Sequence, residues 1–407
     1  MVMSSSARED IAGFYQCSLI AHNCPTLNPE APPMAMHFLQ GIRILDLSQF
    51  LPGPFATQML ADMGADVVKV EPPKGDPMRG LDPITNERAT GPYHALVNAG
   101  KRVIAIDLKD TIGREQFVRL IEQTDVLMES YRPGVMAKLG FDHAAFREIN
   151  PRLVHCALSG YGQNGPMGLA AGHDINYAAA AGQLGLTGSE ARPHMAYPMV
   201  ADYAGALQST IAILGALVGR GQTGQGGYLD VAMADAVLAW QSQALTALKR
   251  GETPGRGHNL LTGGAAFYGV YETKDARFVS LGAIETVFWE NFCRAIARED
   301  LVSRQSEPLP QTALTEDLAA IFKTKTRDAW DAALADVDCC YHPVLDIDEL
   351  AQHPQNQARA MIRPQAGLED EGGMAVLSAM WVDGSAPGAR AAMIETDVET
   401  ILQDWTS

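Results

Sequence analysis

Two titratable side chains stand side by side in Gly172-His173-Asp174-Ile175-Asn176-Tyr177, at the start of a stretch with helical spacing. A first helical turn offers free N–H groups and positive potential. It can therefore hold a developing oxyanion while the imidazole supplies or removes a proton. The plainer alternative is an aspartate N-cap beside a core histidine. A second acid, Asp202, lies in Val200-Ala201-Asp202-Tyr203-Ala204-Gly205 and leads into a small-residue helix. A third, Glu285, closes Leu281-Gly282-Ala283-Ile284-Glu285, where a strand gives way to a helix. Each acid alone reads as a cap; with His173 they form a set able to move protons.

Other chemistries find no motif. The segment after the first strand, Ser48-Gln49-Phe50-Leu51-Pro52-Gly53-Pro54, lacks the GxGxxG of dinucleotide sites. Gly219 to Gly227 is glycine-rich but carries no GK[ST] and reads as a turn. There is no HExxH, no GxSxG and no zinc-type cysteine–histidine cluster.

The elements that must position these groups alternate. Apolar runs over 42–47, 66–70, 103–108, 126–128 and 153–158 read as strands, and helical spacing at 54–63, 111–123 and near 144 falls between them. That alternation predicts an α/β fold with a mostly parallel, covered sheet. Such sheets bind ligands beyond the carboxyl ends of their strands, so the segments after Leu47, Leu108, Met128 and Leu158 are the ones to inspect; the last reads Ser159-Gly160-Tyr161-Gly162. Helices are expected from His173, over 202–218 and over 230–249. A hairpin at 267–272 and 277–281 followed by helices predicts a smaller α+β domain. The expected organisation is an extension over 1–35, a large α/β domain over 36–230, a linker at 231–262, the small domain at 263–335 and a second linker at 336–374. Residues 375–407 then return to the large domain.

Composition bounds the function. The 407 residues hold 31 basic and 48 acidic groups, a formal charge of −17 that repels a phosphate backbone and argues against nucleic acid. No uninterrupted apolar run reaches membrane-spanning length, and the first residues lack the basic and apolar regions of a secretory signal. Six cysteines without a CxxC pair suit a reduced compartment, and the C-terminus is no peroxisomal address; a cytoplasmic location is expected.

Over residues 36–407 these segments resemble the class III CoA-transferase (CaiB/BaiF) fold family, and within it the α-methylacyl-CoA racemase branch. The stretch GIRILDLSQFLPGPFATQMLADMGADVVKVEPPKGDPMRG, with Gly100-Lys101-Arg102, Asp107-Leu108-Lys109 and Tyr131-Arg132-Pro133-Gly134, is common to transferases and racemases. GHDINY, the V-x-D-x-x-G around Asp202 and GAIE before a helix resemble the racemase branch. The resemblance implies a Rossmann-like large domain, a smaller α+β domain and an interlocked homodimer. In that arrangement His173 and Asp202 of one subunit flank the α-carbon of an acyl-CoA thioester, and Glu285 of the other supports the histidine.

Inverting a stereocentre by removing and returning one proton needs a base on one face and an acid on the other, each contributing on the order of 10²–10⁴-fold. The resemblance implies no metal and no prosthetic group; coenzyme A enters as part of the substrate. Its phosphates call for clustered cations, for which Arg79, Lys101, Lys109 and Arg132 are the candidates, with Leu108, Gly160 and Tyr161 in the adjoining loops. Pro72-Pro73 stands where some members carry an arginine, which leaves Lys74 or Arg79 to serve. The alternative is a class III CoA-transferase moving CoA between carboxylic acids, with Asp202 as a nucleophile that forms an acyl anhydride.

Overall fold

The computed structural model describes residues 36–81, 91–369 and 372–406. The extension expected over 1–35 lies outside the described residues. Short β-branched runs give strands β1 (Arg43–Asp46), β2 (Asp66–Glu71), β3 (Arg102–Ala105), β4 (Val126–Glu129) and β5 (Val154–Ser159). A sixth, β6 (Gly227–Ala232), adds to β5, and a short edge strand, Ile394–Glu395, adds to β3. All seven pair in parallel. The in-plane order runs from Ile394–Glu395 through β3, β2, β1, β4 and β5 to β6. The chain winds outward from β1 on one side and from β4 on the other, so the gap between them is the topological switch point, where the adjoining loops part and leave a crevice.

Both faces of the sheet are covered, which is why the strands read as apolar runs rather than alternations. On one face the helices Pro52–Asp62 and Val200–Thr223 bury Leu60, Ala204 and Ile213 against Ile44, Met128 and Leu158. On the other, Thr111–Ile121, His143–Ile149 and Val398–Thr406 bury Phe117, Phe146 and Trp405 against Leu45, Val68 and Leu127. Gly205 lets the long helix lie close to the sheet, because a Cβ there would come within 2.5 Å of Met233 and 3.2 Å of Leu158. The Val200–Thr223 helix is long and apolar enough to cross a bilayer by length and composition, and here Ala201, Ala204, Ala206 and Ile213 are buried in the core.

Three expectations change. The stretch 219–227 is not a turn throughout. Helix Val200–Thr223 continues through Gly219 and Gly221 and stops only at Gly224, whose φ of 69° is left-handed. Buried Arg220 explains the extra turn, since it pairs with Asp125 at 2.8 Å and donates to the carbonyl of Arg152 at 3.2 Å. The single helix expected over 230–249 begins as strand β6, because residues 227–232 pair with β5, and continues as helices Met233–Leu238 and Ser242–Lys249. Buried Val237 carries the large core beyond residue 230. Lastly, Met374–Val376 pairs with Ile362–Pro364 rather than with the large sheet. The chain rejoins that sheet further on, with Arg390 paired to Asp62 at 2.6 Å and Trp405 Nε1 donating to Asp66 at 2.6 Å.

The smaller unit has the expected hairpin but runs past residue 335 into the expected linker, with Cys339 in its core. Tyr268–Glu272 and Phe278–Gly282 form an antiparallel hairpin, and Tyr341–Pro343 adds to it. Helices Thr286–Ala295, Thr312–Phe322 and Arg327–Leu334 supply an aromatic core of Trp289, Phe292, Phe322 and Trp330.

Beneath the switch point lies a buried ionic network. Asp46, at the end of β1, accepts Thr57 Oγ1 at 2.6 Å, Lys101 Nζ at 3.0 Å and the Ser48 N–H at 3.0 Å. Lys101 also donates to the Pro54 carbonyl at 2.8 Å and to Asn98 at 3.0 Å. Lys69 bonds the Ser48 carbonyl at 2.7 Å and pairs with Asp76 at 2.9 Å. Burial opposes ionisation of Asp46, but Lys101, Lys69 and the two hydroxyls outweigh it and hold its pKa down at about 2. Removing one partner strands the other charge. Lys101→Met should therefore destabilise the fold by about 3–5 kcal/mol in urea unfolding at pH 7, whereas a lysine that served only to bind ligand would leave unfolding unchanged.

Candidate active site

The loops after β1, β4, β5 and β6 open on one side of the sheet and enclose a cleft of about 630 Å³ at the switch point. Phe50, Arg132, Tyr161, His173, Tyr177 and Asp202 all line it. His173 is the N-cap of helix Asp174–Ala180, with its backbone N–H donated to Asn176 Oδ1 at 3.1 Å. Asp202 sits in the first turn of helix Val200–Thr223. The two helix starts are joined by Asp174, whose Oδ1 accepts the N–H of Ala201 at 2.6 Å and of Asp202 at 3.1 Å. The pairing of His173 with Asp202 in one cleft is therefore a matter of backbone geometry, fixed before any substrate arrives.

Electrostatics follow from the same geometry. Burial raises the Asp202 pKa, and the Asp174 carboxylate beside it raises it further, to about 6. Asp202 is thus drawn up towards neutrality, into the range where a carboxyl can exchange a proton. Tyr177, buried one turn along from His173, is pushed up to about 12 by burial first and then by Asp202. Its hydroxyl donates to the Gly172 carbonyl, and its ring meets Tyr161 edge-on at 5.0 Å. The sequence reading did not single out Tyr177, although its place four residues after His173 puts it on the same helix face.

The remaining positions divide. Gly160 and Tyr161 line the cleft, and Arg132 lies exposed at its rim. Arg79 is on a separate groove of about 590 Å³ at the ends of β2 and β3, alongside Lys74, and pairs with Glu71 at 2.7 Å and Glu395 at 3.1 Å. Leu108 packs against the core below the sheet; Lys109 is exposed, and its backbone N–H bonds Asp107 at 2.9 Å. Neither lines the cleft. Lys101 corrects the reading of it as a phosphate contact: it is 1% exposed, and its ammonium already has three acceptors. Burial draws its pKa down to about 8, which still leaves it charged at neutral pH. Glu285 is exposed at the start of helix Thr286–Ala295 in the smaller unit, and it does not line the cleft of its own chain.

Comparison with known proteins supplies the lineage. The family model described as CoA-transferase family III matches residues 39–391. The chain belongs to that family. It is 35% identical over 331 residues to the alpha-methylacyl-CoA racemase of Homo sapiens, covering 79% of this chain and 81% of that protein. It is 31% identical over 359 residues to the acetyl-CoA:oxalate CoA-transferase of Acetobacter aceti, covering 86% and 91%. The crystal structure of a CAIB/BAIF family protein from Brucella suis superposes with a TM-score of 0.77 at 26% identity, covering 91% of this chain and all of that one. The chain is thus an enzyme of a family whose named relatives include both racemases and transferases acting on CoA substrates.

Gly160 is the position where the cleft tolerates least. A Cβ there would lie 2.3 Å from the Tyr177 ring, and one at Gly172 would lie 2.7 Å from it. Gly160→Ala should displace that ring, cost about 1–3 kcal/mol in chemical denaturation and weaken ligand binding in the cleft. Unchanged stability would mean that the ring moves freely.

Proposed function

We propose that this enzyme epimerises 2-methylacyl-CoA thioesters by removing the α-proton and returning it to the opposite face. The observation that carries the reading is that His173 and Asp202 line one cleft while Asp202, raised to about 6, is available in both protonation states near neutral pH. At pH 7 roughly one Asp202 in ten would carry the proton. In one direction neutral His173 takes the α-proton and the electron pair moves onto the thioester oxygen. Protonated Asp202 then delivers its proton to the other face, leaving imidazolium and carboxylate. The reverse direction exchanges the two roles.

A nucleophilic aspartate would need only its ionised form, and forming an acyl anhydride assigns no task to His173. The racemase relative therefore fits the cleft better than the transferase relative does.

The reading extends to binding and assembly. Arg132, at the rim, would meet the CoA phosphates, its guanidinium presented by the Pro133-Gly134 turn. A homodimer would bring the partner's Glu285 to His173. An assembly would also give Leu207, Ile211, Val218, Trp240, Leu245 and Leu248, all exposed in the single chain, a surface to pack against.

The decisive experiment incubates the protein with (R)-2-methylacyl-CoA in D₂O without any acceptor acid. Deuterium at the α-carbon and drift towards both epimers are expected; His173→Ala and Asp202→Asn should each lower the rate at least 10²-fold. Absence of exchange, with CoA transferred once a second carboxylic acid is added, would make Asp202 a nucleophile instead. Arg132→Ala should weaken CoA binding about tenfold in calorimetry, while an unchanged Kd would move the phosphate site elsewhere.

A further inference from the structure

Helix Val200–Thr223 starts without a cap of its own, because Met199, at its N-cap, has no side-chain acceptor to offer. The missing acceptor comes from another helix. Asp174 Oδ1 takes the N–H of Ala201 at 2.6 Å and that of Asp202 at 3.1 Å, the second and third residues of the long helix. Asp174 is itself the first residue of helix Asp174–Ala180 and follows His173 directly. One carboxylate therefore ties the backbone of one acid/base residue to the backbone next to the other, across 28 residues of sequence. Between these positions the chain passes through a two-stranded turn at Gly188–Ser189 and Arg192–Pro193 and through a largely exposed stretch over 193–199. Tyr177 and Ala181 pack in one core with Ala201 and Ala204, and the carboxylate adds the polar link between the two helix starts.

We infer that Asp174 is a positioning residue for the proton transfer, acting as a cap in trans that sets the separation of His173 and Asp202 and lends Asp202 its negative neighbour. The inference rests on the racemase reading given above. It assigns two separable duties to one side chain. The first is geometric, the two N–H contacts. The second is electrostatic, since a charge held against Asp202 favours its protonated form. The other titratable groups around Asp202 are His173 and Arg132 in the cleft, Tyr177 on the neighbouring helix, and Tyr203 beside it in its own helix. Of these, the phenols of Tyr177 and Tyr203 are neutral near pH 7, and burial carries both further from ionisation. Asp174 is thus the acid whose charge acts on Asp202.

Two variants separate the duties. Asp174→Asn keeps an oxygen for both N–H groups and loses the charge, whereas Asp174→Ala loses both. For Asp174→Asn the expected result is a pH profile of kcat whose Asp202 limb moves to lower pH, with kcat at its optimum within about tenfold of wild type. For Asp174→Ala the expected result is a loss of about 10²-fold in kcat with KM nearly unchanged, as follows from misplaced reacting groups. A merely structural aspartate would lower the folded fraction of both variants and move neither the profile nor the kcat of the folded enzyme. Thermal unfolding of each variant is measured alongside, and Asp174→Asn serves if Asp174→Ala does not fold.

The inference is overturned if the Asp174→Asn profile superposes on wild type, or if folded Asp174→Ala keeps kcat within twofold. A ¹³C NMR titration of the Asp202 carboxyl in wild type and Asp174→Asn reads the same coupling without turnover. Absence of α-deuteration in the wild type would sink the racemase reading alone, and the NMR titration would still decide whether Asp174 acts on Asp202.

Discussion

Four charges without access to water hold the middle of this molecule together. Asp46, Lys69, Asp76 and Lys101 come from the ends of β1 and β2, the loop that follows β2, and the approach to β3. Desolvating them is costly, and their mutual attraction and hydrogen bonds must offset that cost. The arrangement confers a fixed crossing. Ser48 is gripped from both sides, its N–H by Asp46 and its carbonyl by Lys69, just before the chain enters the left-handed turn at Phe50. A bulky residue at a φ of 62° is unfavourable, and the Phe50 N–H reaches Asp76 Oδ1 at 3.4 Å. The turn that brings Gln49 and Phe50 to the cleft is therefore held by this ionic framework.

The two helix starts present His173 and Asp202 to one cleft. Apolar packing holds the helices on the sheet: Gly205 brings the long one close to Met233 and Leu158, and Tyr177 fits between Gly160 and Gly172. The polar contacts at the helix starts then decide where the reactive groups point. The division of labour is general for α/β enzymes, in which the sheet supplies rigidity and the loops beyond its strands supply chemistry. Here the segment over 160–173 after β5 is long, and the polar contacts at the helix starts fix its end.

Much of this was legible before any coordinates. The strands could be read because doubly covered sheets select unbroken apolar runs, and His173, Asp202 and Arg132 could be read because their loops carry residue patterns that resemble a known family. What escaped depended on contacts distant in sequence. Lys101 looked like an accessible cation because nothing local tells that Asp46, 55 residues earlier, would bury it. The stretch 219–227 looked like a turn because its glycines are visible in the sequence, while the Arg220–Asp125 pair that keeps the helix wound is not. Asp174 looked like a cap for its own helix, and its acceptor atom serves a different one. Glu285, which the resemblance assigns to the site of the other subunit, lies in the smaller unit of its own chain.

The return of the chain's last residues to the large sheet bears on how the protein is made. Ile394–Glu395 completes an edge beside β3, and Val398, Ile401, Leu402 and Trp405 fill the core beneath β1, β2 and β4. The Trp405 ring lies 5.6 Å from the guanidinium of Arg43, at the start of β1. On a ribosome, helices Thr111–Ile121 and His143–Ile149 can cover part of this face early, while the share filled by Val398 to Trp405 stays open until those residues too have been made. Meanwhile the smaller unit, whose core draws on residues 260–341, can be synthesised in full and fold first. The order of assembly thus departs from the order of synthesis: the smaller unit, made after β1, can be finished while the face beneath β1 still waits for helix Val398–Thr406.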